Sequence, residues 1–318
     1  MAGTILVISH THDAHAVTVM ERLRQHGAAA TLFDTARLPR ETPLTIRHDA
    51  STGWSASAHY DGEPLDFGGV RSVWWRRPQP FGLHPDVEAP ESRGFMLGEA
   101  HAAVAGLWSL LDARWLNDPD MDERAGRKAW QLKVARSVGL EIPATCITSD
   151  PVAARAFAAA RPGKTIYKAF SATETTWRET RVLKEEEASL LDAVRFAPVI
   201  FQDYVEALVD LRITVIDGQI FAAEIHSQTT EYIHDFRMAM HQARIAPHAL
   251  PETVATGLRA LMAALGLVYG AIDMRLTPDG RYVFLEINPA GQWLFIEEAT
   301  KQPITACLVE TLVRFAAG

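Results

Sequence analysis

Tyr269-Gly-Ala-Ile-Asp273-Met-Arg-Leu-Thr-Pro278-Asp-Gly280-Arg-Tyr-Val-Phe-Leu-Glu286-Ile-Asn288-Pro289 reads as a β-hairpin with oxygen donors on both strands. The turn is Thr277-Pro278-Asp279-Gly280, where proline presets φ and glycine accepts a positive φ. Pairing Thr277 with Gly280 sets Asp273 opposite Phe284. Side chains alternate along a strand, so Glu286 and Asn288 then share the Asp273 face. The remaining positions are mostly apolar (Ala271, Ile272, Val283, Leu285, Ile287). Three hard oxygen donors on such a ribbon suit Mg2+ bridged to nucleotide phosphates. Acidic residues on a hairpin also mark an ordinary wet face, and the ribbon alone leaves that reading open. The residues that follow, Asn288-Pro289-Ala290-Gly291-Gln292-Trp293, are not a generic strand end and point to a site.

Bulk composition sets limits around this ribbon. The chain has 318 residues, 48% hydrophobic and 22% charged, enough for two or three domains of an ordinary soluble protein. A net charge of -8 leaves no cationic excess for phosphates, which argues against a general nucleic-acid binder. Cys146 and Cys307 form no disulfide framework and have no metal-ligand spacing, as in a reducing compartment. Met1-Ala-Gly-Thr-Ile-Leu-Val-Ile-Ser9 lacks the basic start and long apolar core of a signal peptide. No apolar run approaches the ~20 residues that span a bilayer, so the expectation is a cytoplasmic protein without membrane contact.

The N-terminal third reads as α/β. Strands over 4–9 and 29–33 flank a helix over 14–26 that Gly27 stops, a βαβ opening. Ser9-His10-Thr11-His12-Asp13 stands where a dinucleotide-binding fold carries its glycine-rich loop, which weakens that reading. His10, His12 and His15 lack a further ligand set and read as exposed loop and helix-start residues rather than metal ligands. Residues 41–72 alternate like a small hairpin, and 70–75 form a strand that ends in Arg76-Arg77-Pro78. The adjoining Trp74, Trp75, Arg76 and Arg77 are either a substrate-facing patch or packing at a wet strand end. A helix over 91–112 completes a first domain at 1–116.

The remainder divides into a central subdomain at 117–198 and a C-terminal subdomain at 199–318. Helices are expected over 122–138, 151–160, 184–193, 251–265 and 305–315. Strands are expected over 146–148, 165–170 and 199–205, with a hairpin over 210–226 about Asp217-Gly218. Lys128 falls in the first turns of its helix, and Lys168 falls inside the apolar strand Ile166-Tyr167-Lys168-Ala169-Phe170. A buried ammonium needs a partner, and a phosphate oxygen would serve. Phe201-Gln202-Asp203-Tyr204-Val205 offers backbone to an adenine edge, and Glu206 or Asp210 offers a carboxylate to ribose hydroxyls. Arg212 and Arg237 can neutralise phosphate or carboxylate charge.

That order of residues resembles the ATP-grasp ligases over 116–316, and the N-terminal region resembles their pre-ATP-grasp domain. The resemblance implies that Lys128 and Lys168 contact ATP phosphates, that Gln202, Asp203 and Val205 form the adenine hinge, and that Asp210 takes the ribose position. It implies that Asp273, Glu286 and Asn288 hold two Mg2+ ions. Val73-Trp74-Trp75-Arg76-Arg77-Pro78, Lys168-Ala-Phe-Ser-Ala-Thr-Glu174, Trp177-Arg178-Glu179-Thr180-Arg181 and Phe284-Leu-Glu-Ile-Asn-Pro-Ala-Gly-Gln-Trp-Leu-Phe-Ile-Glu297 are similar to the graspetide synthetases, the microviridin-type peptide macrocyclases.

This narrower likeness covers nearly the whole chain. It implies a ribosomal precursor peptide of leader and core, and a core Asp or Glu carboxylate phosphorylated by ATP. A Ser/Thr hydroxyl or Lys amine then closes an ω-ester or ω-amide ring. Family members are often homodimers. Activating a carboxylate as an acyl phosphate calls for metal and cations, here Mg2+, Lys168, Arg212 and Arg237, and needs no covalent enzyme nucleophile. Residues 171–181 read as a lid that keeps water from the acyl phosphate.

Glu185-Glu186-Glu187 is a solvated helix face or, as the resemblance implies for Glu185 and Glu186, the dock for a cationic leader residue. Two positions depart from the family pattern: Asp203, where Glu is frequent, and Lys301, where Gly is more usual. Two other functions stay open. One is a carboxylate–amine ligase of the same fold acting on amino acids or a protein C-terminus. The other is an ATP- or peptide-binding module without catalysis, against which the intact Asp273, Glu286 and Asn288 set argues.

Overall fold

The computed structural model describes residues 3–170, 180–229 and 243–318. The chain divides into two compact units, Met1–Pro119 with Pro303–Gly318, and Asp120–Gln302.

The first unit opens with β1 (Thr4–Ile8), α1 (Ala14–Gln25) and β2 (Ala30–Phe33). Asp13 caps α1 by accepting the His15 N–H, and Gly27 ends it at φ +68. Next come β3 (Leu44–Asp49), β4 (Gly53–Tyr60) and β5 (Glu63–Asp66), a three-stranded antiparallel meander where the sequence pattern predicts a hairpin. They are followed by β6 (Val70–Trp75), α2 (Pro90–Leu110) and β7 (Arg114–Leu116). The main sheet is parallel, in the order β2-β1-β6-β7. Its alternation sends Leu6, Ile8 and Val73 toward Leu107 and Trp108 of α2, which is why a short βαβ run buries a continuous core.

The second unit carries two sheets. It begins with α3 (Pro119–Gly126) and α4 (Lys128–Ser137), so the helix expected over 122–138 is broken after Gly126. The smaller sheet contains β8 (Thr145–Thr148), β9 (Thr165–Lys168), β10 (Arg181–Val182) and β11 (Val199–Asp203), ordered β10-β9-β11-β8. Helix α5 (Pro151–Ala159) and the 3-10 stretch Glu185–Phe196 cover one face, where Ala154, Leu191 and Val194 pack on Phe201 and Tyr167. Ile166, Lys168, Ile200 and Gln202 alternate onto the other face.

The larger sheet is antiparallel, ordered β14-β13-β12-β15-β16. Its strands are β12 (Val209–Ile216), β13 (Gln219–Ile225), β14 (Ile245–Pro247), β15 (Tyr269–Leu276) and β16 (Tyr282–Asn288). One face is apolar: Leu211, Ile213, Ile272 and Met274 pack with Val134 of α4 and with Leu258 and Leu261 of α6 (Glu252–Leu265). The other face carries Asp210, Arg212, Asp273 and Arg275. A short helix that the sequence pattern does not announce, α7 (Leu294–Thr300), follows the ribbon.

The last helix, α8 (Ile304–Ala317), belongs to the first unit, where it packs on α1 and β6. The sequence division places 303–318 with the C-terminal subdomain. The buried stripe of Ile304, Leu308, Leu312 and Phe315 follows the apolar face of the N-terminal sheet instead of chain order. Among the described residues, no helix is long and apolar enough to cross a membrane.

Candidate active site

The β15–β16 ribbon keeps its oxygen donors on one face, by a register that differs from the expected one. Its turn is wider than a tight pair: Thr277 N–H donates to Arg281 O and Gly280 N–H to Thr277 O. The Thr277 hydroxyl accepts the Arg281 N–H at 2.9 Å and donates to Asp279 at 2.5 Å. Leu276 therefore pairs with Tyr282, and Met274 with Phe284. A β-bulge comes next, so Asp273 faces Glu286 and not Phe284.

The bulge has a physical purpose. In a regular strand Phe284 and Glu286 would share a face. The extra residue, Leu285, lets Phe284 enter the helix-covered core while Glu286 stays beside Asp273. Burying a phenylalanine contributes on the order of 2–3 kcal/mol, which the unbulged register would forfeit or exchange for Glu286. Asn288 stands opposite Ala271 and so lies on the Asp273 face as well.

Two cations meet these donors. Arg212 lies on β12 opposite Asp273, and its Nη1 donates to Asp273 Oδ1 at 2.8 Å. Its Nη2 donates to the Gln292 carbonyl at 3.0 Å. Burial alone would lower the Arg212 pKa, but the Asp273 carboxylate overrides it and holds the guanidinium above its ordinary value. Arg212 Nε is buried and meets no acceptor among the described residues, so donor capacity remains for an anion. Lys128, the first residue of α4, places its Nζ 2.9 Å from Glu286 Oε2. Lys168 is half-buried at the end of β9, opposite Ile200.

The loop after Asn288 is closed tightly. Asn288 Oδ1 accepts the Ala290 N–H at 3.0 Å, and the Tyr269 hydroxyl donates to Gly291 O at 2.8 Å. Trp293 is fully buried against Tyr269, with ring centroids 5.5 Å apart. A Cβ on Gly291 would lie 2.3 Å from Ala271 Cβ and 2.9 Å from Arg212 Nη2. Only glycine lets the chain come this close.

The expected hinge lies at and just beyond the end of β11. Gln202 is buried and its amide donates to Thr145 Oγ1 at 2.9 Å, so the side chain is already engaged. Asp203 N–H donates to Ala144 O, and the Asp203 carboxylate pairs with Arg161. Val205 O accepts from Arg275 at 2.6 Å, while Val205 N–H meets no acceptor among the described residues. Asp210, the residue expected at the ribose, is 2% exposed. Arg275 donates to its Oδ1 at 2.8 Å and Ser227 to its Oδ2, so this carboxylate is committed to the sheet and is not presented to a ligand. Arg275 sits directly across from Asp210 on the neighbouring strand, a pairing the sequence alone does not show.

Other expected residues lie apart or out of view. Glu185 and Glu186 are exposed at the start of the 3-10 stretch. Arg237 and residues 171–179 of the expected lid lie outside the described residues. In the first unit, Trp74 and Arg76 are buried, and Arg76 Nε lies 3.0 Å from Asp13 Oδ2, so these two pack inside. Burial would raise the Asp13 carboxyl; hydrogen bonds from His15 and Arg76 together with the Arg76 charge hold it well below the usual range. His15 is buried on Asp13 and not exposed as its position suggested, and its pKa is lowered by burial. No group of three or more His, Cys, Asp or Glu able to hold a metal occurs among the described residues. The Asp273, Glu286 and Asn288 set thus relies on an amide oxygen and two carboxylates, which suits a hard cation that takes its remaining ligands from phosphate and water.

Comparison with known proteins fits this geometry. Residues 4–123 match the family model described as the MvdD pre-ATP grasp domain. No curated protein matches. Among solved structures, the macrocyclase MdnC from Microcystis aeruginosa MRC, bound with precursor peptide MdnA, is 30% identical, with 98% of this chain and 99% of that chain covered and a TM-score of 0.85. Macrocyclase MdnB from the same organism is 31% identical, with 98% and 99% covered and a TM-score of 0.83. A Chryseobacterium gregarium RiPP-associated ATP-grasp ligase, in complex with ADP and a leader and core peptide, is 27% identical, with 98% and 97% covered and a TM-score of 0.89. Likeness at this identity over nearly the whole of both chains shows that this protein belongs to the graspetide, microviridin-type family of ATP-grasp peptide macrocyclases and is an ATP-dependent ligase.

Proposed function

We propose that this ligase uses ATP to phosphorylate Asp or Glu side chains of a ribosomal precursor peptide and joins them to Ser/Thr hydroxyls or Lys amines. The observation that carries the proposal is the face shared by Asp273, Glu286 and Asn288, with Arg212 and Lys128 in contact with its two carboxylates. A peptide carboxylate oxygen attacks the γ-phosphorus of ATP, and the bond to the β–γ bridging oxygen breaks, releasing ADP. The hydroxyl or amine then attacks the acyl phosphate carbon. The C–O bond to phosphate breaks, and the nucleophile's proton ends on the departing phosphate. Ring closure follows as an ω-ester or ω-amide.

Each residue has a task in that sequence. Asp273, Glu286 and Asn288 would hold Mg2+, two ions by family resemblance, which neutralises phosphate charge when bound. Lys128 and Lys168 bind phosphate oxygens, and Arg212 steadies the carboxylate and its acyl phosphate through donors that remain after Asp273 and Gln292. Arg237 is assigned the same role from the sequence. The adenine edge pairs with backbone at Asp203 and Val205. Of the two acids after the hinge, Glu206 is exposed and Asp210 is not, so the ribose role passes to Glu206. Glu185 and Glu186 would receive a cationic residue of the leader, and the protein would act as a homodimer, with subdomains near 1–116 (joined by 303–318), 117–198 and 199–302.

Incubation with ATP, Mg2+ and the precursor tests the proposal by mass spectrometry. Each ring removes one water, ~18 Da, and consumes one ATP. Unchanged precursor mass with folded protein and intact precursor would overturn it, and modification of free amino acids instead would favour the carboxylate–amine ligase.

A further inference from the structure

Strand β16 is an edge of the larger sheet; its outer side is met at Val283 and Phe284 by an isolated parallel bridge from Glu141, whose carbonyl accepts the Phe284 N–H, and by no neighbouring strand. At Ile287 the outward backbone groups are met by one side chain. Gln131 of α4 donates from Nε2 to Ile287 O at 2.8 Å, and its Oε1 accepts the Ile287 N–H at 3.2 Å. The second Nε2 hydrogen goes to Ala125 O at 2.6 Å, one of the carbonyls left at the end of α3. Gln131 is 1% exposed, and both of its amide hydrogens and its carbonyl oxygen are engaged. In effect it supplies one residue of a missing sixth strand.

The place matters more than the bond count. The Ile287 N–H belongs to the peptide plane shared with Glu286, and the Ile287 carbonyl belongs to the plane shared with Asn288. Holding both planes fixes the directions in which Glu286 and Asn288 leave the backbone. Lys128 lies three residues earlier on the same helix and holds the Glu286 carboxylate itself. The bulge at Leu285 has just interrupted the ladder to β15, so this is where the ribbon most needs an outside brace.

We infer that Gln131 is a positioning residue of the ligand ribbon, one that sets the Glu286 and Asn288 donors for a divalent cation bound with nucleotide. The inference rests on the proposed role of Asp273, Glu286 and Asn288. Gln131→Met keeps the length and removes all three hydrogen bonds; Gln131→Glu keeps the acceptor for Ile287 N–H and loses both donors. Calorimetric titration with ADP across a Mg2+ series gives the Mg2+ concentration needed for half of the metal-dependent gain in affinity. Both variants are expected to need roughly tenfold more Mg2+, with ADP affinity in EDTA unchanged. A merely structural glutamine would lower the melting temperature and leave the Mg2+ requirement alone, and that result overturns the inference.

Wild-type protein without any Mg2+-dependent gain would instead count against the reading of the ribbon as a metal site. Hydrogen exchange on the wild-type chain needs no variant: the Ile287 amide should exchange as slowly as core amides of β15. Exchange at the rate of an exposed edge amide would overturn the clamp.

Discussion

Arg212 and Asp273 form a buried pair, with side chains 8% and 9% exposed and a separation of 2.8 Å. At an effective dielectric near 20, unit charges at that distance attract by about 6 kcal/mol, against which stands the cost of taking both out of water. Removing one partner takes the countercharge of this pair from the other, so Asp273→Ala and Arg212→Met should each destabilise by about 3–5 kcal/mol. The double variant loses both charges at once and should be less destabilised than the sum of the singles, with a coupling of about 2–3 kcal/mol. Urea unfolding of the four proteins, followed by circular dichroism and by tryptophan fluorescence, measures the cycle. All three variants should lose ligase activity, so activity cannot separate the structural role from the chemical one, whereas the coupling can. Additivity within about 0.5 kcal/mol would show that the pair does not hold these strands together, and the reasoning would fail.

Gly291→Ala forces a methyl against Ala271 and Arg212, so it should cost about 1–3 kcal/mol of stability and more than tenfold in turnover; wild-type kinetics would contradict the close packing. Lys301 holds a left-handed φ of +59 at the end of α7, a conformation that favours glycine. Lys301→Gly should leave stability unchanged or raise it by up to about 1 kcal/mol in thermal unfolding, and Lys301→Val should lower it by about 1–2 kcal/mol; a less stable glycine variant would refute the strain. Because the folded-state pKa of Asp13 is depressed, its contribution is present above the ordinary carboxylate pKa and is lost as pH falls through the folded value. The stability gap between wild type and Asp13→Asn should therefore be full near neutrality and shrink below pH of about 4, and a gap independent of pH would contradict the charged Asp13–Arg76 pair.

What the sequence reveals of the ribbon follows from how far period-two alternation reaches. Glu286 and Asn288 share a face because alternation requires it, but that this is also the face of Asp273 depends on the bulge, since the wider turn alone would set Leu285 opposite Asp273. Their register was not legible, since a wider turn and the extra Leu285 each shift the pairing by one residue and neither leaves a mark in the hydrophobic pattern. Asp210 looks like a ligand from its place after the hinge. Its partner Arg275 comes from the adjacent strand 65 residues on, and only the sheet brings them together. Gln131 reads as an ordinary polar helix residue, because nothing local tells a buried clamp from a solvated amide. Lys128 was legible from its order in the chain, while its contact with Glu286 was not. Helix α8 shows the same limit at larger scale, since its amphipathic stripe says that it packs and does not say on which unit.

The central claim is that a peptide carboxylate, and not water, takes the γ-phosphoryl group of ATP. A precursor whose acidic side chains carry heavy oxygen in both carboxylate positions tests it most directly. Attack by the carboxylate, followed by loss of phosphate from the acyl phosphate, moves one labelled oxygen into the released phosphate for each ring formed. Mass analysis of that phosphate should show one heavy oxygen, with none when Asp273→Ala replaces the wild-type protein. Ring formation that releases only unlabelled phosphate would contradict carboxylate activation.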